Sequence, residues 1–185
     1  TLSSAQIGSL STNQIVALTT GQASALTATQ AAGLSTNGVA ALETADFAAL
    51  STNAIAALSA NQVKALTTNQ VVALTTNEAA ALGTAQVAAL STNAIAALET
   101  ADLAAIKVAA IAVLGTAQVA ALTTGQVSSL TTAAIAALST AAIAVLSTNQ
   151  VVALSSAQIN SLGTAQVAAL SSNAIGAIQT ADLAG

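Results

Sequence analysis

Apolar residues recur along this chain with a fixed period of eight residues. From Leu2 onward the sequence divides into 23 octads without an insertion, and LSTNQIVA, LTTNQVVA and LGTAQVAA are typical examples. We label the eight positions a to h, so that position a is Leu in 21 octads and Ile in the other two, Ile106 and Ile178. An unbroken short period indicates a solenoid, in which each unit buries its apolar side by stacking on its neighbours.

The polar positions of the octad predict the start of a helix. Position b is Ser or Thr in 16 octads and position e is Gln in 12, and Ser/Thr-x-x-Gln is the capping-box pattern of a helix N-terminus. Position f is Val, Ile, Leu or Phe in 20 octads and stands three residues before the next a. This separation places f and a on one face of a helix, whereas a strand would put them on opposite faces.

A single continuous helix does not fit this period, because eight residues carry each Leu roughly 80° beyond two full turns. We therefore predict an all-α solenoid of 23 short capped helices, one per octad. Leu at a, the aliphatic residue at f and Ala at h are expected inside, with c, d and g outside. The alternative is a β-solenoid with three octads per coil, which the β-branched residues at c and f favour.

The repeat covers residues 1–185 as one unit, and both ends of the sequence stand in register with it. We expect a segment of a longer array, or a unit that joins other copies head to tail. The apolar residues Leu2, Ile7, Ile178 and Leu183 are the predicted contacts at the two ends.

A lateral contact is also predicted at the octad IKVAAIAV, which spans residues 106–113 and lacks a capping residue. Its additional aliphatic residues, Val108 and Val113, mark a patch on which another chain could dock. The expected partner in each case is a second copy of this chain.

Composition then narrows the function. The chain is 55% apolar and 4% charged, with a net charge of −4 and no His or Cys. Catalysis and cofactor binding are not expected, because soft and nitrogen ligands for a metal are missing and the abundant Ser residues have no plausible activating partner. Two lysines cannot neutralise a row of phosphates, so nucleic acid is not an expected partner. No apolar run reaches the length of a transmembrane helix.

Two pairs of carboxylates are the remaining candidates for chemistry. Glu43 with Asp46, and Glu99 with Asp102, occupy positions b and e of their octads. A weak Ca²⁺ site would need about four further oxygen ligands. Acidic residues are also favoured in the first turn of a helix by its dipole, and this capping interpretation is the preferred one.

Octads such as LTTNQVVA and LGTAQVAA resemble the low-complexity octapeptide-repeat tracts of some large secreted or surface proteins of bacteria. The resemblance covers the whole chain and implies an extracellular structural segment. The nearly uncharged surface and the repeat faces without polar caps favour a spacer, a stalk or a filament subunit. The alternative function is a ligand-binding or ice-binding surface formed by rows of Thr at position c, which is Thr in 17 octads.

Overall fold

The computed structural model describes residues 2–178 and confirms the all-α solenoid, with one short helix in each of its 22 octads and no strand among these residues. Each helix begins at position c and has four to six residues. The helices are α1 (Ser4–Gly8), α2 (Thr12–Val16), α3 (Thr20–Ser24), α4 (Ala28–Gly33), α5 (Thr36–Ala41), α6 (Thr44–Ala48), α7 (Thr52–Ala56), α8 (Ala60–Lys64), α9 (Thr68–Val72), α10 (Thr76–Ala81), α11 (Thr84–Ala89), α12 (Thr92–Ala97), α13 (Thr100–Ala105), α14 (Val108–Ile111), α15 (Thr116–Ala120), α16 (Thr124–Ser129), α17 (Thr132–Ala137), α18 (Thr140–Ala144), α19 (Thr148–Val152), α20 (Ser156–Asn160), α21 (Thr164–Ala169) and α22 (Ser172–Ala177). The helix predicted for the last octad lies outside the described residues.

The predicted capping boxes, with Ser or Thr at position b, start ten of these helices. Before α16, the Thr123 side chain accepts a hydrogen bond from the backbone amide of Gln126 at 3.1 Å, and the amide of Thr123 donates to Gln126 Oε1 at 2.8 Å. Thr123 itself is extended, with φ −74° and ψ 160°. Extended backbone at position b separates each helix from the preceding one, and this is why the chain bends once in every octad.

Each helix packs against the helix three octads further along the chain, as in α10 with α13 and α8 with α11. Hydrogen bonds between successive turns join residues that are 26 to 31 positions apart. One turn of the solenoid therefore takes about 28 residues, which is about three and a half octads. Because this number is not whole, each turn is offset by half an octad from the turn below it.

Positions a and f form one continuous core along the solenoid, as predicted. Leu90 at a is 3% exposed, and Ile95 at f is fully buried. Position d is exposed throughout the described residues, and c and g are exposed in most octads. The prediction for position h is wrong, since its small side chains are half-buried or exposed. Position e is the third buried position, and Gln126 at e is 1% exposed.

Candidate functional site

The buried glutamines at position e connect successive turns. Gln126 Oε1 accepts a hydrogen bond from the backbone amide of Thr123. Gln126 Nε2 donates to the carbonyls of Ile95 at 2.7 Å and Leu98 at 2.8 Å. These carbonyls belong to positions f and a of the preceding turn. One carboxamide thus caps the N-terminus of its own helix and binds the C-terminal carbonyls of another helix.

The same pair of contacts recurs, at separations of 28 and 31 residues, at every interior glutamine. These residues are Gln62, Gln70, Gln86, Gln118, Gln126, Gln150, Gln158 and Gln166. A helix of about five residues leaves most of its terminal carbonyls without partners inside the helix. The glutamine side chains therefore supply hydrogen bonds that such short helices lack.

The two faces of a turn are consequently different. The face toward the N-terminus of the chain presents the Nε2 donors of position e. The face toward the C-terminus presents carbonyl acceptors and the aliphatic side chains of position f. We call these the donor face and the acceptor face, and in the interior each donor face lies on the acceptor face of the preceding turn.

The donor face is exposed in the first turn. Gln6, Gln14 and Gln22 are exposed, and their Oε1 atoms accept hydrogen bonds from the backbone amides of the capping residues of their own helices. Gln30 is the first glutamine to reach an earlier carbonyl, that of Leu2, at 2.7 Å. Beside these residues lies a cavity of about 590 Å³. Its apolar lining comes from Leu2, Ile7, Leu18, Ala25 and Leu26, and its polar lining includes Gln22 and Gln30.

The acceptor face is exposed in the last turn of the described residues. Val167 and Ile175, both at position f, are 43% and 47% exposed, whereas Val151, at the same position two octads before Val167, is fully buried. Ile178 at position a is half-buried. The first and last turns of the described residues therefore expose the two complementary halves of the contact that the interior buries.

The predicted contact residues divide between these surfaces. Leu2 is 48% exposed on the donor face, Ile7 is 4% exposed and lines the cavity, and Ile178 borders the acceptor face. Leu183 lies outside the described residues. Val108 and Val113 are 38% and 44% exposed on the side of the solenoid. The sequence did not identify the glutamines as contact residues, because the capping box had already accounted for them.

The predicted carboxylate pairs are not brought together into a metal-binding group. Asp46 and Asp102 are each 3% exposed, and each accepts a hydrogen bond at 2.8 Å, from Thr20 Oγ1 and from Thr76 Oγ1 respectively. The second carboxylate oxygen of each aspartate is buried without a hydrogen-bond partner.

The remaining partners, Glu43 and Glu99, are exposed and form no side-chain cap. Residues 2–178 contain no cluster of three or more His, Cys, Asp or Glu side chains suited to a metal ion.

The fold and its two faces define an α-solenoid repeat protein. The sequence profile of the ALTTAQ repeat matches residues 39–76, 95–132, 128–156 and 151–180, about two thirds of the chain. The chain belongs to the ALTTAQ repeat family. The first two matches begin 56 residues apart, which is seven octads and about two turns of the solenoid.

The search of curated proteins and the search of solved structures each found no match. No helix among the described residues combines the length and the apolar character that crossing a membrane requires.

Proposed function

We propose that this repeat protein is a structural element, a spacer, a stalk or a subunit of a self-assembling filament. The observation that carries this proposal is the contact that repeats between the interior turns, in which the glutamines of one turn bind carbonyls of the preceding turn. The interior turns supply the template for the contact, because each of them already packs a donor face on an acceptor face.

The regularity of the core supports the role of a rod. One continuous apolar cluster extends from Ile7 to Ala174. Nearly identical octads distribute the stability of a solenoid over many equivalent contacts between neighbouring turns. Selection for length and stiffness is compatible with such uniformity, whereas catalysis depends on individual residues in special positions.

A contact between unlike faces is heterologous, and it continues as a filament unless a rotation closes it into a ring. We expect the 185-residue chain to form oligomers whose size increases with concentration. Sedimentation velocity over a hundredfold concentration range measures this, and negative-stain electron microscopy of the concentrated sample should show filaments of uniform width. A monomer that persists at the highest concentration would refute the proposal.

The alternative function, an ice-binding or ligand-binding surface of Thr rows, has one observation in its favour, since Thr at position c is exposed in most octads. The offset between turns works against it. Position c lies beside position h of the next turn, as the hydrogen bond from Ser129 Oγ to the carbonyl of Thr100 shows. Thr residues of successive turns therefore do not form straight columns, and we expect no thermal hysteresis from the soluble protein.

A location outside the cell, on the cell surface or secreted, remains a proposal that rests on the resemblance to bacterial repeat tracts. An enzymatic role is not part of the proposed function, because the sequence has no His or Cys and its Ser residues recur mostly as helix caps.

A further inference from the structure

We propose that a monovalent metal cation binds between turns of the solenoid at Asp102, and that a second one binds at Asp46, which lies 56 residues earlier. Both aspartates occupy position e, where most octads carry glutamine. Each is 3% exposed, and the Oδ2 atom of each is buried without a hydrogen-bond partner. The proposal adds a ligand inside the structural element and does not depend on self-assembly.

The carbonyls that a glutamine would bind are present at Asp102. Val71 and Leu74 lie 31 and 28 residues before it, and these are the separations at which the interior glutamines donate to carbonyls of the preceding turn. The carbonyl of Leu74 accepts no backbone hydrogen bond within the described part of the chain. Because a carboxylate has no hydrogen to donate, only acceptor oxygens meet where a glutamine would place its amide.

The length of the aspartate side chain leaves a gap between these oxygens. Aspartate is one methylene shorter than glutamine, so its carboxylate stops about 1.5 Å short of the place that the amide takes. Thr76 Oγ1 donates to Asp102 Oδ1 at 2.8 Å, which directs the carboxylate toward the preceding turn and leaves Oδ2 beside the gap. Glu78, also at position e, has the length of glutamine and leaves no such gap.

The arrangement recurs at Asp46. Thr20 Oγ1 donates to Asp46 Oδ1 at 2.8 Å, and the residues 31 and 28 positions earlier are Ile15 and Leu18. The carbonyl of Leu18 likewise accepts no backbone hydrogen bond within residues 2–178. Two separate places in the solenoid thus combine an unpartnered carboxylate oxygen, a threonine that orients the carboxylate and a carbonyl that lacks its donor.

Ligand type and charge favour a monovalent metal cation such as Na⁺. Carboxylate and carbonyl oxygens are the ligands of hard cations. The carbonyls of Val71 and Leu74 lie at the C-terminal end of α9, where the helix dipole also attracts a cation. A buried carboxylate without a counterion is strongly unfavourable. One Na⁺ balances the single charge of each site, whereas Ca²⁺ would leave an excess positive charge, because Glu43 and Glu99 are exposed.

Urea denaturation of the 185-residue chain in NaCl and in choline chloride at equal ionic strength tests the proposal. Choline screens charges as sodium does but is too large for the gap. At a sodium concentration about 10 times the dissociation constant, each occupied site should lower the equilibrium constant of unfolding about 10-fold, and the two sites together about 100-fold. Equal stability in the two salts would overturn the proposal.

Matched variants locate the sodium effect. The variant with Asp46→Asn and Asp102→Asn keeps the shape of both side chains but removes their charge, and its stability should be the same in the two salts. The variant with Glu43→Gln and Glu99→Gln removes the same charge from exposed positions of the same octads and should keep the full difference. A sodium effect that persists in the asparagine variant would place the ion elsewhere, and the proposal would be wrong.

Two further measurements identify the site and the ion. Asp102→Gln supplies an amide for the carbonyls of Val71 and Leu74, so it should lower the equilibrium constant of unfolding about 10-fold in choline chloride. Sodium should then act through Asp46 alone, with an effect of about 10-fold in place of about 100-fold. If CaCl₂ stabilises the unmodified chain and NaCl does not, the charge balance is wrong and the assignment to a monovalent cation fails.

Discussion

The interior glutamines make a prediction that does not depend on assembly, and Gln126→Glu is the sharpest test of it. The substitution preserves the shape of the side chain and leaves an oxygen to accept from the amide of Thr123. It removes the Nε2 donor that lies 2.7 Å from the carbonyl oxygen of Ile95 and 2.8 Å from that of Leu98. A carboxylate oxygen would then face two carbonyl oxygens in a site where Gln126 is 1% exposed.

The magnitude follows from these contacts. Two hydrogen bonds contribute about 1–3 kcal/mol together, at roughly 0.5–1.5 kcal/mol each. The loss is larger when buried acceptors remain without partners and when a charge is taken out of water. We expect Gln126→Glu to lower the free energy of unfolding by about 2–4 kcal/mol.

The octad that contains Glu78 allows the reverse substitution, from Glu to Gln, to be tested. Glu78 at position e is 4% exposed, and its Oε2 accepts from the amide of Thr75 at 2.8 Å and from Thr75 Oγ1 at 2.9 Å. A carboxylate has no donor for the carbonyls of Phe47 and Leu50, which lie 31 and 28 residues earlier. Glu78→Gln should therefore raise the free energy of unfolding by about 1–3 kcal/mol.

Urea denaturation followed by circular dichroism at 222 nm measures both changes, at a protein concentration below the onset of association. The matched control is Gln14→Glu, because Gln14 is exposed and has no described contact with an earlier turn. This control should shift stability by less than about 0.5 kcal/mol. If Gln126→Glu costs no more than the control, or if Glu78→Gln lowers the stability, the glutamine contacts between turns do not stabilise the fold.

Three further predictions concern the core, the buried aspartates and the repeat length. Leu90→Ala should lower the free energy of unfolding by about 2–5 kcal/mol, because Leu90 is 3% exposed. Thr92→Ala, at an exposed position, should lower it by less than about 0.5 kcal/mol. Equal losses in urea denaturation would contradict the assigned faces. Asp102→Asn should raise the free energy of unfolding by about 1 kcal/mol in the same assay, because it removes a buried carboxylate whose second oxygen has no hydrogen-bond partner. A clear loss of stability would show that this oxygen has a partner. Deletion of residues 90–97, one octad, should leave a cooperative unfolding transition, because every contact keeps its repeat position, whereas deletion of 90–93 should abolish it. Similar transitions for the two deletions would show that the octad frame does not determine the fold.

Much of the fold was predictable because its causes are local. The capping box at Thr123 and Gln126, the extended backbone at position b and the spacing of three between f and a all lie within one octad or its border with the next. Each leaves a pattern that recurs along the 23 octads of the sequence, and the structure confirms short helices with a and f in the core.

The burial of position e was not predicted, because its second role joins residues 28 and 31 positions apart and local spacing does not reveal such contacts. The sequence nevertheless carries a signal. Glu serves a capping box as well as Gln does, and the helix dipole favours it, yet position e is Gln in 12 octads and Glu only at Glu78. That preference indicates that the amide donor is used elsewhere. Position h was predicted to be buried because Ala permits close approach, but the half-octad offset places it at the border of the core.

The half-octad offset explains why such short helices are stable together. A helix of five residues cannot satisfy its terminal amides and carbonyls by itself, and in water it would not persist. With a whole number of octads in each turn, every helix would lie directly over another in the same phase, and N-terminal donors would face N-terminal donors. With about three and a half octads in each turn, position e of one turn lies over positions f and a of the turn below. A donor then meets acceptors at each glutamine, and the apolar residues of the same two positions fill the space between turns. The period of eight residues and the turn of about 28 residues thus together give the terminal carbonyls of these short helices the hydrogen bonds that isolated helices would lack.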